Sequence, residues 1–355
     1  MDLTAMLKIL ANQDGSDLYL STGAPPCAKF NGVLKPLSSD ALKPGEVEQI
    51  ARGVMDEEQR QQFAKELEMN LAISINNVGR FRVNIFRQRN EISIVARNIK
   101  LDIPTFEELK LPPVLLDVIM EKRGLVLFVG ATGSGKSTTL ASIINEINQE
   151  KTKHIVTIEH PVEFRHKDIK SLITHREVGE KSDTKSFSDG LRAAVRQDPD
   201  IIMVGEMRDA ETALAALQAA QTGHLVFATL HTNSAPETVV RVLDLFPPEK
   251  ADSIRVSLAE SLKLIISQKL VPTVDNKRVL SYECLFVTNN IKNAISSDKL
   301  NFVNTIKESM NTNYKEGMLT MNRSLKLLLD EGKITKEMAL EYSNDSKELE
   351  ELLED

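Results

Sequence analysis

The stretch from Gly124 to Ile147, GLVLFVGATGSGKSTTLASIINEI, decides the fold of this 355-residue chain. Its central part, Gly130 to Ser137, has the spacing G-x-x-x-x-G-K-[ST] of a phosphate-binding loop. The apolar run before the loop is short enough for a buried parallel strand, and the residues after it carry apolar side chains at helical spacing. Strand, glycine loop and helix therefore follow one another in the order that a P-loop requires.

A P-loop predicts a binding site for a nucleoside triphosphate. In such a loop the backbone N–H groups surround the phosphates, Lys136 reaches the terminal phosphates, and the hydroxyl of Ser137 binds Mg²⁺. The predicted phosphate-binding residues are Gly130, Ala131, Thr132, Gly133, Ser134, Gly135, Lys136, Ser137 and Thr138.

The composition limits the classes of protein to which the chain can belong. With 44 basic and 51 acidic residues, the net charge of -7 offers no general field for holding nucleic acid, and no nucleic-acid partner is expected. Only Cys27 and Cys284 are present, so neither a disulfide framework nor a four-cysteine zinc site can be built, which favours a cytoplasmic setting. The apolar runs stay below the roughly 18 residues of a membrane span, and no transmembrane segment is predicted.

The chain is expected to contain more than one folding unit. Residues 1–100 are typical of an α+β domain that ends in three strands, and the prolines of residues 101–112 mark a linker. In residues 113–272 strands alternate with helices, which predicts an α/β domain with a mostly parallel sheet. Residues 273–355 are predicted to be helical, with an acidic tail.

One strand of the first domain carries arginines on a single face. Phe81, Val83 and Ile85 alternate with Arg80, Arg82 and Asn84, so one face is apolar and the other arginine-rich. A solvated sheet face is the simplest interpretation of these arginines taken alone.

Three patterns beyond the P-loop carry candidate chemistry. Ile158–Phe164 (IEHPVEF) follows a buried strand and places Glu159 and Glu163 at its carboxyl end, where one carboxylate could orient or deprotonate an attacking water. In Asp198–Asp209 (DPDIIMVGEMRD), Glu206 follows a strand in the position of a metal-directed acid, predicted to hold Mg²⁺ through water. Gly223–His231 (GHLVFATLH) places His224 and His231 at the two ends of a strand; because they are seven residues apart, their rings are expected on opposite faces.

These four motifs together resemble, in order and spacing, the Walker A, Asp, Walker B and His boxes of the secretion ATPase superfamily. The similarity is greatest to the PilT/PilU family of type IV pilus retraction ATPases, and within it to the PilU branch. It covers nearly the whole chain, including GRFRVNIFRQRN at residues 79–90 and THREVGE after the Asp box.

The resemblance implies a PAS-like α+β domain followed by a RecA-like ATPase domain, assembled as a homo-hexamer with ATP and Mg²⁺ bound between subunits. It implies that Glu163 activates water and that Glu206 is the Walker B glutamate. His224 and His231 would be the His-box pair, and Arg82 and Arg97 would act in trans as arginine fingers. The implied partners are a PilT-like paralogue and an inner-membrane pilus platform protein, so the chain would be cytoplasmic and peripherally associated with that machine.

Two segments depart from the family pattern. His160 stands where the Asp box normally has Asp, and Asn289–Asp298 (NNIKNAISSD) replaces the AIRNLIRE-like helix of PilT. The leading interpretation is an ATPase that powers or assists pilus retraction and twitching motility. The alternatives are a nucleotide-binding regulatory partner of a paralogue, a pilus assembly or type II secretion ATPase, and a RecA-like nucleic-acid motor.

The tail from Lys336 to Asp355 holds eight acidic residues and two lysines. A solvated terminal helix is the favoured interpretation, and an acidic docking peptide is the alternative. Because every catalytic motif lies upstream, removal of the residues after Gly332 is predicted to spare ATP hydrolysis.

Overall fold

The computed structural model describes residues 2–30, 33–76, 78–99, 103–118, 121–179, 182–275, 277–297, 301–314 and 317–354. The chain divides into two compact units, Met1–Asp102 and Ile103–Asp355. Residues 103–112 of the predicted linker belong to the second unit, and residues 101 and 102 lie outside the described residues. In the described part of the chain, no helix is long and apolar enough to cross a membrane.

The first unit is an antiparallel sheet of six strands with three helices. Its elements are α1 (Leu3–Asn12), β1 (Asp17–Ser21), β2 (Cys27–Phe30), β3 (Val33–Pro36), α2 (Glu46–Val54), α3 (Glu57–Glu66), β4 (Glu68–Ile75), β5 (Gly79–Gln88) and β6 (Glu91–Ile99). The strand order is β3-β2-β1-β6-β5-β4. The alternation predicted for β5 is confirmed, because Phe81, Val83 and Ile85 are fully buried while Arg82 is exposed.

The second unit is built on a sheet of seven strands. Its first elements are α4 (Val114–Val118), β7 (Gly124–Val129), α5 (Lys136–Glu150), β8 (His154–Glu159), β9 (Leu172–Glu177), α6 (Phe187–Ala194), β10 (Ile201–Val204), α7 (Ala210–Gln221), β11 (Leu225–Leu230) and α8 (Ala235–Asp244). A short 3-10 helix at Pro248–Lys250 leads into α9 (Ala251–Ser261), β12 (Leu262–Pro272) and β13 (Arg278–Phe286). Five helices complete the unit: α10 (Asn289–Ser297), α11 (Phe302–Thr312), α12 (Met321–Asp330), α13 (Lys336–Tyr342) and α14 (Ser346–Glu354).

The strand order β13-β12-β7-β11-β10-β8-β9 is parallel except for β13. The parallel α/β fold predicted for this part of the chain is therefore confirmed. Both faces of the sheet are buried: α5 packs on one face through Leu140, Ile143 and Ile144, and α7, α8 and α9 cover the other. Because the carboxyl ends of β7, β8, β10 and β11 meet at one edge, the loops that follow these strands converge there.

Residues 273–355 were predicted to be helical, and the structure corrects this prediction in one place. Arg278–Phe286 forms β13, which pairs with β12 in antiparallel register over the nine residue pairs from Leu264–Phe286 to Pro272–Arg278. The segment RVLSYECLF contains Val, Tyr and Phe, which suit a half-buried pleated surface better than a helix. Gly332 has a φ of 66° and lies between α12 and α13, where the helical region is interrupted.

The acidic tail folds back onto its own unit. In α14, Leu349 is fully buried and packs with Met321 and Leu325 of α12. Asn322 Nδ2 donates to Glu348 Oε2 over 2.7 Å. Glu350 and Glu351 remain exposed on the outer face. The tail is thus a helix with an anchored apolar side and a solvated acidic side.

Three consecutive residues of β12 join distant parts of the second unit. Ser267 Oγ donates to the carbonyl of Asn233, which precedes α8. Gln268 Nε2 donates to Thr139 Oγ1 on α5 over 2.9 Å, in buried surroundings. Lys269 Nζ donates to the carbonyl of Tyr342 and to Asn344 Oδ1 between α13 and α14. One strand therefore contacts the P-loop helix, the segment after β11 and the C-terminal helices.

Candidate active site

The P-loop joins β7 to α5 through a turn that requires glycine. Gly133 and Gly135 have φ angles of 83° and 95°, in the left-handed region that side chains disfavour. At Gly130 a Cβ atom would lie 2.5 Å from the carbonyl oxygen of Gln268. Since α5 begins at Lys136, its unpaired N–H groups and positive dipole end face the loop. The loop is therefore shaped to hold an anion.

Lys136 is almost fully buried within this loop. Its Nζ donates to the carbonyls of Gly130, over 2.6 Å, and Ala131, over 3.0 Å. Burial lowers the pKa of Lys136, and the negative charges of Glu206 and Glu163 oppose that shift. The ammonium group thus lies close to both carboxylates that the sequence assigned to catalysis.

The structure distinguishes the two glutamates of IEHPVEF. Ser137 Oγ donates to Glu163 Oε1 over 3.1 Å, so Glu163 lies against the P-loop. Glu159 is the last residue of β8, is buried, and has His175 Nδ1 3.5 Å from its Oε1. Glu163 is therefore the carboxylate of this motif that contacts the predicted magnesium ligand.

Glu206 follows β10 and is held at both carboxylate oxygens. Arg208 Nη2 lies 2.5 Å from Oε2, and His231 Nε2 lies 3.2 Å from Oε1. Burial raises the pKa of Glu206. The hydrogen bond and positive charge of Arg208, with a smaller contribution from His231, lower this pKa by more than burial raises it. The pKa of Glu206 therefore lies below its usual value. Glu206 is therefore a carboxylate at neutral pH.

The backbone around Glu206 is fixed independently of these side chains. Gly205 N–H donates to the carbonyl of Ile158 over 2.7 Å, and the hydroxyl of Thr229 donates to the carbonyl of Gly205. Met207 N–H donates to the carbonyl of Thr229 over 2.9 Å. The ends of β8, β10 and β11 are thereby bound together next to the P-loop.

The two histidines at the ends of β11 have different surroundings. His231 lines the same cleft as Lys136 and Glu206, at the carboxyl end of the strand. His224 lies at the opposite end of β11, where its Nδ1 donates to the carbonyl of Ala219 over 3.0 Å. The structure brings His231 to the cleft and places His224 at the opposite edge of the sheet.

Arg82 and Arg97 lie in the first unit, directly opposite each other on β5 and β6. Both side chains are exposed, and Arg97 Nε donates to Asp17 Oδ1 over 2.9 Å. Residues directly opposite on neighbouring strands point to the same face of a sheet. The two guanidinium groups therefore form one basic surface of that unit.

His160 replaces the acid that the Asp box normally has at this position. It lines the cleft, and its Nδ1 lies 2.7 Å from the carbonyl oxygen of Val178. A carbonyl can only accept, so Nδ1 carries the proton and donates. The imidazole is thus oriented by the backbone after β9.

The cleft has a volume of about 470 Å³. Ser137, Glu163 and Glu206 supply a hydroxyl and carboxylates to it, and oxygen donors are the ligands that Mg²⁺ prefers. Mg²⁺ commonly takes one or two protein oxygens and completes its shell with phosphate oxygens and water. These residues therefore fit a magnesium ion that arrives with a nucleotide.

A second cavity of about 650 Å³ adjoins the P-loop and shares Gly135, Thr138, Leu270 and Arg278 with the cleft. Its other walls include Leu109 and Tyr282, which sequence reasoning did not connect with the site. Arg208 was also missed, although its position two residues after Glu206 in GEMRD was a signal. Contacts of this kind depend on the tertiary fold and leave no periodic pattern in the sequence.

A family of known proteins has the same arrangement of motifs. The model of the family described as type II/IV secretion system protein matches residues 65–307. The chain belongs to this family. Within it, the chain is 45% identical to the type IV pilus ATPase PilU of Pseudomonas aeruginosa, over 78% of this chain and 72% of that protein. It is also 45% identical to PilT of the same organism, a type IV pilus retraction ATPase, over 82% of this chain and 85% of the relative.

Solved structures of this family extend the similarity to the whole chain. A crystal structure of the pilus retraction motor PilT with bound ADP covers 99% of both chains, with 43% identity and a TM-score of 0.91. The ATPase DotB of Legionella pneumophila aligns over 95% of this chain with 30% identity and a TM-score of 0.79. The fold class predicted from the sequence and the resemblance to the PilT/PilU family are both confirmed.

Proposed function

We propose that this protein is an ATP-hydrolysing motor that powers or assists the retraction of type IV pili and so supports twitching motility. The observation that carries the proposal is the meeting of Lys136, Ser137, Glu163, Glu206 and His231 in one cleft of a chain that follows the PilT fold over 99% of its length. The enzyme is an ATP hydrolase of the type II/IV secretion system family.

Each residue of the cleft has a role in this reaction. Lys136 would turn from its loop carbonyls to the terminal phosphates. Ser137, released from Glu163, would hold the magnesium ion, with Glu206 as a further ligand through water, and the ion would neutralise charge at the phosphates. Glu163 would orient the attacking water and accept its proton while a new O–P bond forms at the γ-phosphate, the bond from the γ-phosphorus to the bridging oxygen breaks, and ADP leaves. His231 keeps the Glu206 carboxylate in place.

The adjoining cavity supports nucleotide binding. It begins at Gly135 and Thr138 at the start of α5 and offers apolar walls from Leu109, Leu270 and Val279. Arg278 lines both the cavity and the cleft. A nucleoside placed there would leave its phosphates at the P-loop.

The assembly completes the proposal. We expect a homo-hexamer in which Arg82 and Arg97 of one subunit act at the nucleotide of the next, because a guanidinium group can neutralise charge on the transferring phosphoryl group. The ring would lie at the cytoplasmic side of the inner membrane, against the pilus platform protein and beside a PilT-like paralogue. Pilus assembly and type II secretion ATPases usually carry a four-cysteine zinc module. The two cysteines of this chain cannot build one, which argues against these two classes.

The proposal is tested by steady-state ATP hydrolysis and by pilus retraction in cells. Lys136→Ala should abolish both while leaving the thermal unfolding temperature within a few degrees, because the hydrogen bonds of Lys136 Nζ go to the loop carbonyls of Gly130 and Ala131. Lys8→Ala, an exposed lysine on α1, is the matched control and should behave as wild type. Normal hydrolysis by folded Lys136→Ala protein would refute the assignment.

His160 favours one second candidate, a nucleotide-binding regulator of a paralogous motor. A neutral imidazole supplies no negative charge near the metal, which weakens the electrostatic hold on Mg²⁺. His160→Asp should therefore lower the Mg²⁺ concentration for half-maximal hydrolysis and raise the rate. His160→Asn, which can keep a donor to Val178 without adding charge, separates charge from orientation. If wild type hydrolyses ATP only when the paralogue is present, the regulator is the better description.

A further inference from the structure

Arg208 lines the cleft beside Glu206, and although it lies within the motif Asp198–Asp209, the sequence assigned no role to it. Its guanidinium is bonded to Glu206 Oε2, and the side chain is 68% exposed. It lies between β10 and α7 and lines the cleft together with Lys136 and Glu163. A charged side chain in this position must affect how the cleft accepts a metal ion and phosphates.

Three side chains expected to hold the metal or the phosphates already have partners inside the protein. Ser137 donates to Glu163, Lys136 donates to its own loop carbonyls, and Glu206 accepts from Arg208 and His231. When a magnesium nucleotide enters, these side chains must therefore give up their hydrogen bonds within the protein and bind the metal ion or the phosphates instead. When a magnesium ion replaces Arg208 as the partner of Glu206, the Arg208 guanidinium is released into the cleft.

Electrostatics determine the direction in which that cation moves. A magnesium ion bound at Glu206 would lie close to the Arg208 guanidinium, and the two positive charges would repel each other. The terminal phosphate brings negative charge to the same cleft. A guanidinium can donate two parallel hydrogen bonds to the oxygens of one phosphate. The terminal phosphate is therefore a better partner for Arg208 than a carboxylate that already binds a metal ion.

The loop does not need Arg208 to keep its shape. Gly205 and Met207 on one side are bonded to Ile158 and Thr229, and on the other side Asp209 Oδ1 caps α7 by accepting from Thr212 N–H over 2.8 Å. The guanidinium can therefore move, or be replaced, while the backbone around Glu206 stays fixed. This separates a role in ligand binding from a role in folding.

We propose that Arg208 senses the nucleotide state in this chain: it leaves Glu206 when a magnesium nucleotide enters and binds the terminal phosphate of ATP. The proposal rests on the function proposed above, and it assigns within one subunit the residue that distinguishes ATP from ADP. With ADP bound, the guanidinium returns to Glu206 because the γ-phosphate is missing. The guanidinium then competes with the metal for the Glu206 carboxylate, which weakens retention of Mg²⁺ after hydrolysis.

The test measures binding without turnover. Fluorescence anisotropy of labelled ADP and of a labelled non-hydrolysable ATP analogue is followed over a titration of Mg²⁺ in wild type, Arg208→Gln and Arg208→Lys. Arg192→Gln is the matched control, since Arg192 forms an exposed ion pair with Glu211 over 3.0 Å on the helices α6 and α7. Circular dichroism and ring assembly of each variant are measured alongside.

Arg208→Gln is expected to weaken binding of the ATP analogue and to lower the Mg²⁺ concentration that ADP binding requires. Arg208→Gln should lose about tenfold in affinity for the ATP analogue, the size of one charge-assisted hydrogen bond, while its affinity for ADP changes less than about twofold. The Mg²⁺ concentration for half-maximal ADP binding should fall, because the competing cation is gone. Arg208→Lys should recover part of the discrimination, and Arg192→Gln should match wild type.

Other results would overturn the proposal. Equal losses for both nucleotides would mean that Arg208 only shapes the cleft, and unchanged binding of both would mean that it stays on Glu206. If wild type bound neither nucleotide in the presence of Mg²⁺, the function proposed above would fail instead, which this design distinguishes from failure of Arg208 alone.

Discussion

The hydroxyl of Ser137 donates a hydrogen bond to Glu163 Oε1 over 3.1 Å, which joins the P-loop to a carboxylate 26 residues further along the chain. The serine is the predicted magnesium ligand and the glutamate is the predicted base. In the proposed mechanism, a metal that binds at Ser137 would also free Glu163 for the attacking water. The proposal therefore couples metal binding to activation of the base.

Replacement of Glu163 tests its role as a base. Glu163→Gln keeps an oxygen acceptor for Ser137 but removes the proton acceptor, so kcat should fall roughly 10²- to 10⁴-fold. Affinity for a non-hydrolysable ATP analogue should change little. Glu150→Gln, an exposed residue at the end of α5, is the control. A loss of nucleotide binding equal to the loss of rate would assign Glu163 to metal holding instead.

Mixed rings test whether the active site draws on two subunits. A subunit with Arg82→Ala mixed with one carrying Glu163→Gln should recover part of the ATPase activity, because some interfaces then combine an intact arginine face with an intact cleft. Rings that mix Arg82→Ala subunits with Arg97→Ala subunits should recover no activity. Because the two arginines lie on the same face, every interface in such a ring has a defective arginine face. Equal activity of the two mixtures, in rings verified by native mass spectrometry, would contradict sharing in trans.

Removal of the tail is expected to affect folding, contrary to the expectation from the sequence alone. A chain that ends at Gly332 loses Ala339 and Leu349, so Leu325 and neighbouring apolar side chains become exposed. Loss of such burial should cost roughly 3 to 5 kcal/mol of unfolding free energy and reduce ATPase activity. Urea unfolding of the truncated and full-length chains measures the first, and steady-state assays measure the second.

The exposed acids of α14 are tested separately from its anchor. Glu350→Lys combined with Glu351→Lys keeps Leu349 and should leave the unfolding free energy nearly unchanged, because exposed charges contribute little to stability. If the acidic face docks on a PilT-like partner, this variant should lose a salt-sensitive interaction in pull-down assays. Wild-type binding by the variant would leave α14 with a structural role.

A pH effect is expected from Glu283, which lies buried between α8 and the C-terminal helices. Burial raises its pKa to about 7, while the N–H groups of Ala235 and Met321 and the charge of Lys269 oppose that shift. The folded state therefore holds the proton more tightly than the unfolded state, and stability is lost as pH rises from about 4.5 to about 7.

Glu283→Gln should remove this pH dependence. The amide oxygen can still accept from Ala235, and no charge has to be buried at pH 8. Relative to wild type, the variant should gain on the order of 2 kcal/mol between pH 5 and pH 8. Urea titrations at both pH values measure the change, with the exposed Glu249→Gln as control. Parallel pH profiles for the variant and wild type would show that Glu283 is ionised throughout.

The four central strands of the second unit could be predicted because each is a short apolar run that turn residues delimit. β12 could not, since it begins at Leu262, directly after α9 ends at Ser261, with no Gly or Pro to mark the change. β9 lies at the sheet edge and buries only Ile173 fully, so it has no apolar run. The formation of such a strand depends on its pairing with the neighbouring strand in the folded protein and cannot be predicted from its own sequence.

The meeting of the candidate site residues in one cleft was predictable for a different reason. Lys136, Glu163 and Glu206 follow strands whose carboxyl ends meet at one edge, so their order in the sequence already implied their proximity. The side-chain pairs could not be inferred in this way. Whether Glu206 meets Arg208 or only His231 depends on rotamers and on the path of the five-residue loop between β10 and α7, which the alternation of strands and helices does not constrain.

The contacts of Ser267, Gln268 and Lys269 on β12 have a mechanical consequence. A load on the C-terminal helices would reach this strand through Lys269, and the component of that load along the strand would strain all its ladder hydrogen bonds at once. Nine residue pairs with β13 and the parallel pairing with β7 share the tension, so no single bond has to give way first. Pulling at right angles would instead open the ladder one pair at a time. Within the second unit, β12 is therefore expected to resist a pull along its length better than a pull across it.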